Sequence, residues 1–407
     1  MQSLNGKFVV LGVSASIAAY KAASFASLLK KHGANVQVIM TKNAQNLINP
    51  ITFEQLTGNK CLTNTFDREF EFKVEHVSLA QKADLFIIAP ATANVIAKVS
   101  HGLADDMLTT TFLACTCQKL IAPAMNTRMF LNPITQENLK TCERFGIQII
   151  SPASGFLACG ETGSGRLPEP EELLSYTEHF IAEEKTLTGK KILITAGPTC
   201  ESIDPVRYIT NHSSGKMGYA LAKIASERGA DVTLISGKVS LKPLMFVKNV
   251  SVTSAKEMSD AVKAHSENAD VIIMAAAVAD YTPVNVSEQK IKKHDSNGEP
   301  LQLELKRTED ILSYLGKHRK SGQVLCGFSM ETQNLEQNSI RKLQEKNADL
   351  IVANSLVEKG AGFAVDTNRV TIFTKNQKKE FPLLEKTEVA RVILDEVQNE
   401  LFKNSDN

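Results

Sequence analysis

A cysteine in a glycine-rich stretch is the first residue of this 407-residue chain whose surroundings point to chemistry. Cys159 lies in LACGETGSGRLPEPEEL, residues 157–173, where the spacing of apolar residues fits neither a helix nor a strand. We therefore predict an exposed loop without regular secondary structure. Cysteines that serve only packing are usually buried, so a thiol on such a loop is either incidental or reactive.

Small and polar residues follow three predicted strands of the first half, in GVSASIAAYK (12–21), PATAN (90–94) and APAMNTRMF (122–130). Because ligands of open α/β sheets bind at the carboxyl ends of strands, each stretch is a candidate binding loop. Ser14 and Ser16, with backbone N–H groups at a helix N-terminus, suit a phosphate, and a plain strand-to-helix turn is equally compatible. Asn126 suits either a ligand carboxylate or a helix cap.

Histidine and paired cysteines are the other candidates in this half. His76 precedes a predicted helix; a lone histidine is more often structural than catalytic, but its proton equilibrates near neutral pH. Cys115 and Cys117 form a C-x-C pair with no second pair or nearby histidine, so a buried helix end is a better prediction than a zinc site. The G-x-G-x-x-G fingerprint of dinucleotide-binding loops is absent.

The richest stretch of the second half is TAGPTCESIDPVRYITNHSSGKMGYALA, residues 195–222. Its NHSSGKMG segment begins a predicted helix, where N–H groups, hydroxyls and the Lys216 cation would converge as an anion site. A long capping loop is the alternative, and the presence of Arg207 and Asn211 makes it less favoured.

Two shorter stretches follow in the second half. AAAVADYTP (275–283) comes after a predicted strand; its alanines would let a planar group approach, and Asp280 could orient a ribose, a base or a metal. KIKK (290–293) is a short basic run, which is usually solvated but suits a phosphate when it lies beside a nucleotide pocket.

Strand-like runs rich in Val, Ile and Leu alternate with helical segments and must position these loops. This alternation predicts doubly wound parallel sheets whose strands are buried on both faces. The predicted strands are residues 7–13, 35–41, 84–90, 119–125 and 147–151 in the first half, and 191–197, 231–236, 270–277, 323–328 and 349–354 in the second. Period-2 stretches in residues 362–384 predict a small antiparallel hairpin, and a helix is predicted over 386–402. A polar segment places the domain boundary between residues 186 and 187.

The composition of the chain argues against several classes of function. The formal net charge of +1 gives no reason to expect nucleic acid or an anionic membrane as a partner. No apolar run is long enough to span a bilayer. Seven scattered cysteines do not form a disulfide framework, so we expect the reducing cytoplasm.

The motifs of the first half, taken in order, resemble those of the flavin-dependent cysteine decarboxylases, in particular phosphopantothenoylcysteine decarboxylase. They are GVSASIAAYK, His76, PATAN…ADDMLTT, PAMNTRMF and ACGETGSGR, with Phe130 in place of the family's tryptophan and Ala15-Ser16 in place of a glycine pair. The resemblance implies a flavodoxin-like fold, trimers, and FMN at a subunit interface. The flavin-binding residues it implies are Gly12, Ser14, Ser16, Thr92 and Asn94.

The same resemblance implies a role for the cysteine. The substrate thiol is oxidised at FMN, the carboxylate leaves as CO2, and Cys159 then supplies a proton before the product is reduced. His76 would be the base, and Asn126 would bind the substrate carboxylate. Gly160, Gly163 and Gly165 would let a flap fold tightly over the ligand and exclude water.

The motifs of the second half resemble phosphopantothenate–cysteine ligase, the second part of a bifunctional bacterial family of coenzyme A biosynthesis. They are GPTCESIDPVRYITNHSSGKMG, AAAVADY, KIKK, KRTEDIL, GFSMET and ANS. The resemblance implies that CTP, with Mg2+ or Mn2+, activates 4′-phosphopantothenate as an acyl-cytidylate, which L-cysteine then attacks. It implies a Rossmann-like domain that forms dimers, and dodecamers when combined with the trimers.

Roles of individual residues in the second half also come from the resemblance. Lys290 would stabilise charge in the first step, and Asn211 would act in the second. The implied nucleotide contacts are Met274, Ala275, Ala276, Asp280, Phe328, Lys342 and Lys346, with Asp280 also at the metal. Arg207 would hold the phosphate of the acyl substrate across a dimer interface, and Lys216 would bind substrate. Glu309 replaces a proline of the family pattern, which predicts a less rigid loop.

Three functions are compatible with these observations. The first is the bifunctional enzyme, and the second is a non-catalytic FMN-binding regulatory protein. The presence of Cys159, His76 and Asn126 favours the enzyme, because a degenerate relative should have lost one of them. The third is a reductase that uses NAD, and the missing G-x-G-x-x-G loop speaks against it.

Overall fold

The structure is a computed structural model that describes residues 2–66, 75–156, 160, 162–292, 301–331, 334–355 and 365–405. Its contacts divide the chain into two compact units, Met1–Glu183 and Glu184–Asn407. Each unit is described by itself. Among the described helices, none combines the length and the apolarity needed to cross a bilayer.

A five-stranded parallel sheet forms the centre of the first unit, in the strand order β2-β1-β3-β4-β5. Its strands are β1 (Phe8–Val13), β2 (Asn35–Met40), β3 (Leu85–Ala91), β4 (Gln118–Pro123) and β5 (Gln148–Ile149). All residues of β3 are buried, as expected for a strand covered on both faces. The order 2-1-3-4-5 is that of flavodoxin-like sheets, which confirms the predicted fold.

Helices cover both faces of this sheet. They are α1 (Ala19–Lys31), α2 (Pro50–Thr57), α3 (Glu75–Lys82), α4 (Ala93–Ser100), α5 (Met107–Ala114), α6 (Thr127–Leu131), α7 (Pro133–Arg144) and α8 (Pro170–Ile181). Local sequence explains where several begin: Asp106 and Thr109 form a capping box at α5, and Asn132 caps α7 directly before a proline. Cys115 follows α5 directly and is buried, which confirms the predicted helix end.

The glycine-rich stretch is more regular than the sequence predicted. β6 (Ala153–Phe156) and β7 (Thr162–Arg166) pair as an antiparallel hairpin, and α8 begins at Pro170. The prediction of a loop over residues 157–173 is therefore wrong for residues 162–166 and 170–173. Cys159 itself lies outside the described residues.

An eight-stranded sheet forms the centre of the second unit, in the order β12-β11-β8-β13-β16-β17-β19-β20. Its strands are β8 (Lys191–Ala196), β11 (Asp231–Ser236), β12 (Lys248–Ser251), β13 (Val271–Met274), β16 (Val324–Glu331), β17 (Leu350–Ser355), β19 (Val370–Thr374) and β20 (Lys378–Glu380). The first six strands in this order are parallel, and β19 and β20 are antiparallel. The predicted small hairpin is thus confirmed as β19–β20, whereas the strand predicted over 270–277 ends at Met274.

Five helices and three two-stranded pairs complete the part of the second unit that the structure describes. The helices are α9 (Lys216–Glu227), α10 (Ala255–Ser266), α11 (Ile311–His318), α12 (Leu335–Glu345) and α13 (Lys386–Ser405). The pairs are β9 (Cys200–Ser202) with β10 (Tyr208–Thr210), β14 (Tyr281–Pro283) with β15 (Leu305–Arg307), and β18 (Thr367–Asn368) with β21 (Leu384–Glu385). The first two pairs were not predicted, because strands of three residues are too short to show an alternation.

Candidate functional sites

A cavity of about 430 Å³ opens at the carboxyl ends of β1, β3 and β4 in the first unit. This is where open α/β sheets bind ligands. Three of the predicted site residues line it, namely Ser16, Thr92 and Asn126. Most of the rest of its wall is apolar, from Ala15, Ala18, Ala93, Ala124, Met125 and Met129 among others. Such a wall admits a flat, apolar ring system, with polar contacts confined to a few positions.

Gly12 and Ser14 lie beneath this cavity rather than in its wall. The Ser14 hydroxyl donates to the Pro90 carbonyl at 2.8 Å and accepts the Thr92 N–H at 2.9 Å, so it joins the ends of β1 and β3. A Cβ on Gly12 would come within 3.1 Å of Leu108 in the core. Both residues therefore shape the loop from below, and Ser16 is the predicted phosphate contact that the structure brings to the cavity.

The position of Asn126 is compatible with both interpretations of its sequence context, a helix cap and a ligand-binding residue. Its Oδ1 accepts the Arg128 N–H at 2.8 Å as the cap of α6, and the residue also lines the cavity. The neighbouring Thr127 Oγ1 is buried without a hydrogen-bond partner in the described part of the chain. Thr127 does not line the cavity, so Asn126 is the residue of this pair that brings polar atoms to it.

The β6–β7 hairpin lies directly against this Asn126 loop. The Met125 N–H donates to the Gly165 carbonyl at 2.9 Å, and Gly165 has a φ of +133°. A Cβ on Gly165 would come within 2.3 Å of the Met125 carbonyl oxygen, and one on Gly163 within 2.5 Å of Thr127 Oγ1. Gly165 allows the close approach of two backbones, and Gly163 leaves room for the side chain of Thr127.

Lys21 and Arg166 are cavity residues that the sequence analysis missed. Lys21 is only 6% exposed, and its Nζ donates to the Leu167 carbonyl at 3.0 Å and to Glu169 at 2.7 Å. It therefore fixes the segment after β7 to α1. A lysine inside the otherwise apolar start of α1 was the sequence signal that could have identified Lys21. Such a lysine is expected to be buried, and a buried lysine needs a partner.

Two predicted residues of the first unit lie elsewhere. His76 is in the first turn of α3 and Asn94 is exposed on α4, and neither lines the cavity within this copy of the chain.

The second unit has a cavity of about 500 Å³ at the carboxyl ends of β13 and β16. Six predicted nucleotide contacts line it, namely Met274, Ala276, Asp280, Phe328, Lys342 and Lys346. The side chain of Ala275 lies on the opposite face of the sheet from Met274 and Ala276, and it packs against the core there. Asn211 lies at the margin, where its Nδ2 donates to the carbonyls of Ala277 at 3.0 Å and Val278 at 3.4 Å.

One wall of this cavity is the loop that precedes α11. Thr308 anchors it to the loop after β13, because its hydroxyl donates to the Ala279 carbonyl at 2.6 Å and its N–H donates to that of Asp280 at 3.0 Å. Glu309, which was expected to make this loop less rigid, instead ties it to α10. Its carboxylate accepts from Ser259 Oγ at 2.7 Å and from Lys263 Nζ at 2.6 Å. A long-range ion pair thus replaces the local stiffness of a proline.

Two lysines from α12 face the same cavity. Lys342 Nζ donates to the Phe328 carbonyl at 2.8 Å, and Lys346 Nζ lies 2.7 Å from Asp310. Burial raises the pKa of Asp310, but the hydrogen bond from Lys346 and the cap at the start of α11 outweigh it, and the net pKa is lowered. Cations at this position suit the phosphates of a nucleotide.

No group of three metal-ligating side chains occurs in the ranges that the structure covers. Asp280 is exposed at the cavity, and a single carboxylate is compatible with Mg2+, which keeps several waters and binds mainly through substrate phosphates.

Besides Ala275 and Asn211, three predicted residues lie outside the lining of this cavity. Arg207 pairs with Asp204, its Nη2 at 2.5 Å from Oδ2, and also donates to the Ile291 carbonyl at 2.7 Å. Lys290, next to Ile291, is exposed. Lys216 is the first residue of α9 and lies 2.6 Å from Asp366. Of the KIKK run, Lys293 lies outside the described residues.

The family models and the curated relatives agree with the motifs. The model described as Flavoprotein matches residues 1–182, and that described as DNA/pantothenate metabolism flavoprotein C-terminal domain matches residues 187–401. The chain is 48% identical to the coenzyme A biosynthesis bifunctional protein CoaBC of Bacillus subtilis (strain 168), over 97% of each chain. It is 40% identical to the protein of the same name from Escherichia coli (strain K12), again over 97% of each chain.

Among solved structures, the C-terminal domain of a coenzyme A biosynthesis bifunctional protein CoaBC is 46% identical and covers 54% of this chain and 100% of its own, with a TM-score of 0.47. The resemblance inferred from the motifs is confirmed by the full-length relatives. The chain belongs to the family of bifunctional phosphopantothenoylcysteine decarboxylase and phosphopantothenate–cysteine ligase proteins of coenzyme A biosynthesis, and it is an enzyme.

Proposed function

We propose that the second unit ligates L-cysteine to 4′-phosphopantothenate at the expense of CTP, and that the first unit decarboxylates the resulting phosphopantothenoylcysteine with FMN to give 4′-phosphopantetheine. The observation that carries the proposal is that each parallel sheet has a cavity at its carboxyl edge, lined by residues of the family motifs. In the first unit these are Ser16, Thr92 and Asn126, and in the second Met274, Asp280, Phe328, Lys342 and Lys346.

The chemistry of the first cavity fits FMN. Ser16 and the N-terminal end of α1 offer hydroxyl and N–H donors for a phosphate, while Lys21 and Arg166 place cations in the same wall. The alanines and methionines leave room for a flat ring. When bound, the flavin supplies an electron sink for the substrate.

The chain's own residues would then position the substrate and handle its protons. Asn126, at the cavity and fixed by its bond to the Arg128 N–H, would hold the substrate carboxylate in one orientation. The β6–β7 hairpin lies against this loop, so closure above it would exclude water from the reacting atoms. Cys159, in the connection between the two strands, would donate the proton to the decarboxylated carbon.

The second cavity fits a nucleoside triphosphate. Ala276 and Phe328 would contact the base and ribose, and Lys342 and Lys346 would neutralise the phosphates. Asp280 would help to hold Mg2+ or Mn2+, which would supply further positive charge to the phosphates. A phosphate ligand would compete with Asp310 for Lys346. Lys290 would stabilise charge as the acyl-cytidylate forms, Asn211 would act when the cysteine amine attacks, and Arg207 and Lys216 would hold the acyl substrate.

Exposed apolar side chains support self-association. Around the first cavity, Ile17, Tyr20 and Phe156 are each more than 60% exposed, at 68%, 63% and 68%. A second copy that covers them would complete the flavin site, and His76 would then serve the cavity of a neighbouring copy. In the second unit, Val206 and Tyr208 are 57% and 47% exposed. We propose trimers through the first unit, dimers through the second, and a dodecamer that combines them.

We propose the cytoplasm as the compartment, and the free thiols of the described cysteines are compatible with its reducing conditions.

Two half-reactions test the proposal separately. The purified chain should show the visible absorbance of a flavin and should release CO2 from supplied phosphopantothenoylcysteine. Without cysteine, it should release pyrophosphate from CTP in the presence of 4′-phosphopantothenate. Flavin without either reaction would contradict the enzymatic proposal and favour a flavin-binding regulatory protein.

A further inference from the structure

The carboxylate of Asp204 joins two segments of the second unit that are far apart in sequence. Its Oδ1 accepts the backbone N–H groups of Val206 and Arg207, each at 2.8 Å. Its Oδ2 accepts Arg207 Nε at 2.9 Å, Arg207 Nη2 at 2.5 Å, and the backbone N–H of Ile291 at 3.2 Å. The side chain is fully buried. One carboxylate therefore takes part in five hydrogen bonds.

Further contacts close the junction around this carboxylate. The Ile203 N–H donates to the Arg207 carbonyl at 2.8 Å, which shapes the turn, and the Ser287 N–H donates to the Ile203 carbonyl at 3.0 Å. Arg207 Nη2 also donates to the Ile291 carbonyl at 2.7 Å. The turn that carries Arg207 and the segment 287–291 are thus held as one piece, and Lys290 lies within that piece.

We infer that Asp204 is a positioning residue for the ligase reaction, which sets the guanidinium of Arg207 and the segment that carries Lys290 in one fixed arrangement. The inference rests on the proposed function, in which Arg207 holds the phosphate of the acyl substrate and Lys290 stabilises the activated acyl group.

The hydrogen bonds leave Arg207 oriented and still able to bind. Nε and Nη2 are occupied, whereas Nη1 has no hydrogen-bond partner among the residues that the structure describes, and the side chain is 44% exposed. A guanidinium held on one edge loses less freedom when it binds a phosphate on the other. The hydrogen bonds from Arg207, and those from the backbone, hold the pKa of Asp204 far below its ordinary value, so it stays ionised at neutral pH.

Two roles of Asp204, as a negative charge beside Arg207 and as a positioning residue, predict opposite results for Asp204→Asn. If Asp204 acted mainly as a negative charge beside Arg207, its removal would strengthen the attraction for a phosphorylated substrate and lower KM. In the positioning account, the new amide directs N–H donors at Arg207 and at the Ile291 N–H, so the arrangement is lost. We expect KM for 4′-phosphopantothenate to rise about tenfold and kcat for acyl-cytidylate formation to fall, because charge-assisted hydrogen bonds are lost.

Asp349→Asn is the matched control. Asp349 is also a buried carboxylate in the second unit, and it accepts from Arg319 and from the Leu325 N–H at 2.9 Å, but it precedes β17 at the amino edge of the sheet. Asp349→Asn should destabilise the second unit about as much as Asp204→Asn does, and it should leave KM for 4′-phosphopantothenate unchanged. If both variants change KM equally, or if Asp204→Asn leaves KM unchanged or lowers it, the inference is overturned.

Hydrogen–deuterium exchange of the full chain gives a readout that does not depend on activity. In Asp204→Asn, exchange across residues 287–292 should be faster than in the parent by about tenfold, the effect expected when a buried acceptor is lost. Asp349→Asn should leave that segment unchanged. Unchanged exchange in Asp204→Asn overturns the inference even if the ligase assay fails, whereas absence of acyl-cytidylate formation by the parent would contradict the proposed function instead.

Discussion

Both carboxylate oxygens of Glu309 lie 2.6 Å from Nζ of Lys263, and this ion pair fastens a wall of the proposed nucleotide cavity to α10. Ser259 adds a hydrogen bond of 2.7 Å to the same carboxylate. Lys263 also lies over the ring of Tyr314, with Nζ 4.4 Å from its centroid, so the pair extends to α11. Helices on one face of the sheet are thereby coupled to the position of Thr308.

Glu309→Gln should raise KM for CTP roughly two- to fivefold, because an exposed ion pair makes a contribution of that size to the position of the loop that it holds.

Lys263, and then Ser259, lower the pKa of Glu309. The contribution of Glu309 to the free energy of unfolding is therefore complete above the ordinary pKa of about 4.3 and is lost as pH falls through the lower folded pKa. Glu309 raises the pKa of Lys263, whose contribution is present below about 10.4 and is lost as pH rises through the raised value.

Thermal unfolding of the parent and Glu309→Gln from pH 3 to pH 10 checks this ion pair. The variant should have the lower Tm between about pH 5 and pH 10, and the difference between the two curves should shrink as pH falls below the ordinary pKa of glutamate, about 4.3. Glu336→Gln, which removes an exposed pairing with Lys378 away from the cavity, is the matched control and should not alter KM for CTP. A Tm difference that stays constant as pH falls from about 5 to about 3 would contradict the ion-pair account.

Gly165→Ala should lower the amount of flavin that copurifies with the chain by about tenfold or more. The new Cβ would lie 2.3 Å from the Met125 carbonyl oxygen, and this overlap would push the hairpin away from the cavity. Gly146→Ala also places a side chain at a positive φ, of +76°, but has no atom within 4 Å of its Cβ. Absorbance at the flavin band, scaled to protein, should therefore fall for Gly165→Ala and stay near the parental value for Gly146→Ala.

Cys159→Ser should leave ligation intact and stop decarboxylation after the oxidation step, because a serine hydroxyl is a much weaker acid than a thiol. Loss of a general acid corresponds to about a hundredfold or more in rate. Mass spectrometry should detect no 4′-phosphopantetheine while phosphopantothenoylcysteine still forms. Cys117→Ser, at the amino end of β4, is the control. Normal product formation by Cys159→Ser would remove this cysteine from the mechanism.

Lys290→Gln should abolish acyl-cytidylate formation and leave the decarboxylase working on supplied phosphopantothenoylcysteine. The glutamine keeps the length of the side chain close to that of lysine but cannot neutralise developing negative charge. Pyrophosphate release from CTP measures the first activity and CO2 release measures the second within one preparation. Ligation at the parental rate would show that the KIKK run has another role.

The sheets were predictable because their strands are long and buried on both faces. β3 and β8, for example, begin and end within one residue of the predicted bounds. A short strand such as β7 was missed, because glycines at positions 163 and 165 show no apolar alternation; their purpose is visible only when Met125 and Thr127 are seen against them.

The candidate sites were only partly predictable for the same reason. Residues at or just after the ends of predicted strands, such as Phe328 and Ser16, were assigned from motifs, and the structure brings them to cavities. Asp204 was passed over, although it stands three residues before Arg207, because its contact with Ile291 spans 87 positions of sequence. The role of Glu309, in the loop before α11, depends on Lys263 in α10, which no local pattern can reveal.

One time course tests the central claim most directly. The purified chain is mixed with 4′-phosphopantothenate, L-cysteine, CTP and Mg2+, and the products are followed by mass spectrometry. The account predicts transient phosphopantothenoylcysteine that gives way to 4′-phosphopantetheine, with release of CMP, pyrophosphate and CO2. A preparation that holds FMN and produces no mass change would contradict it.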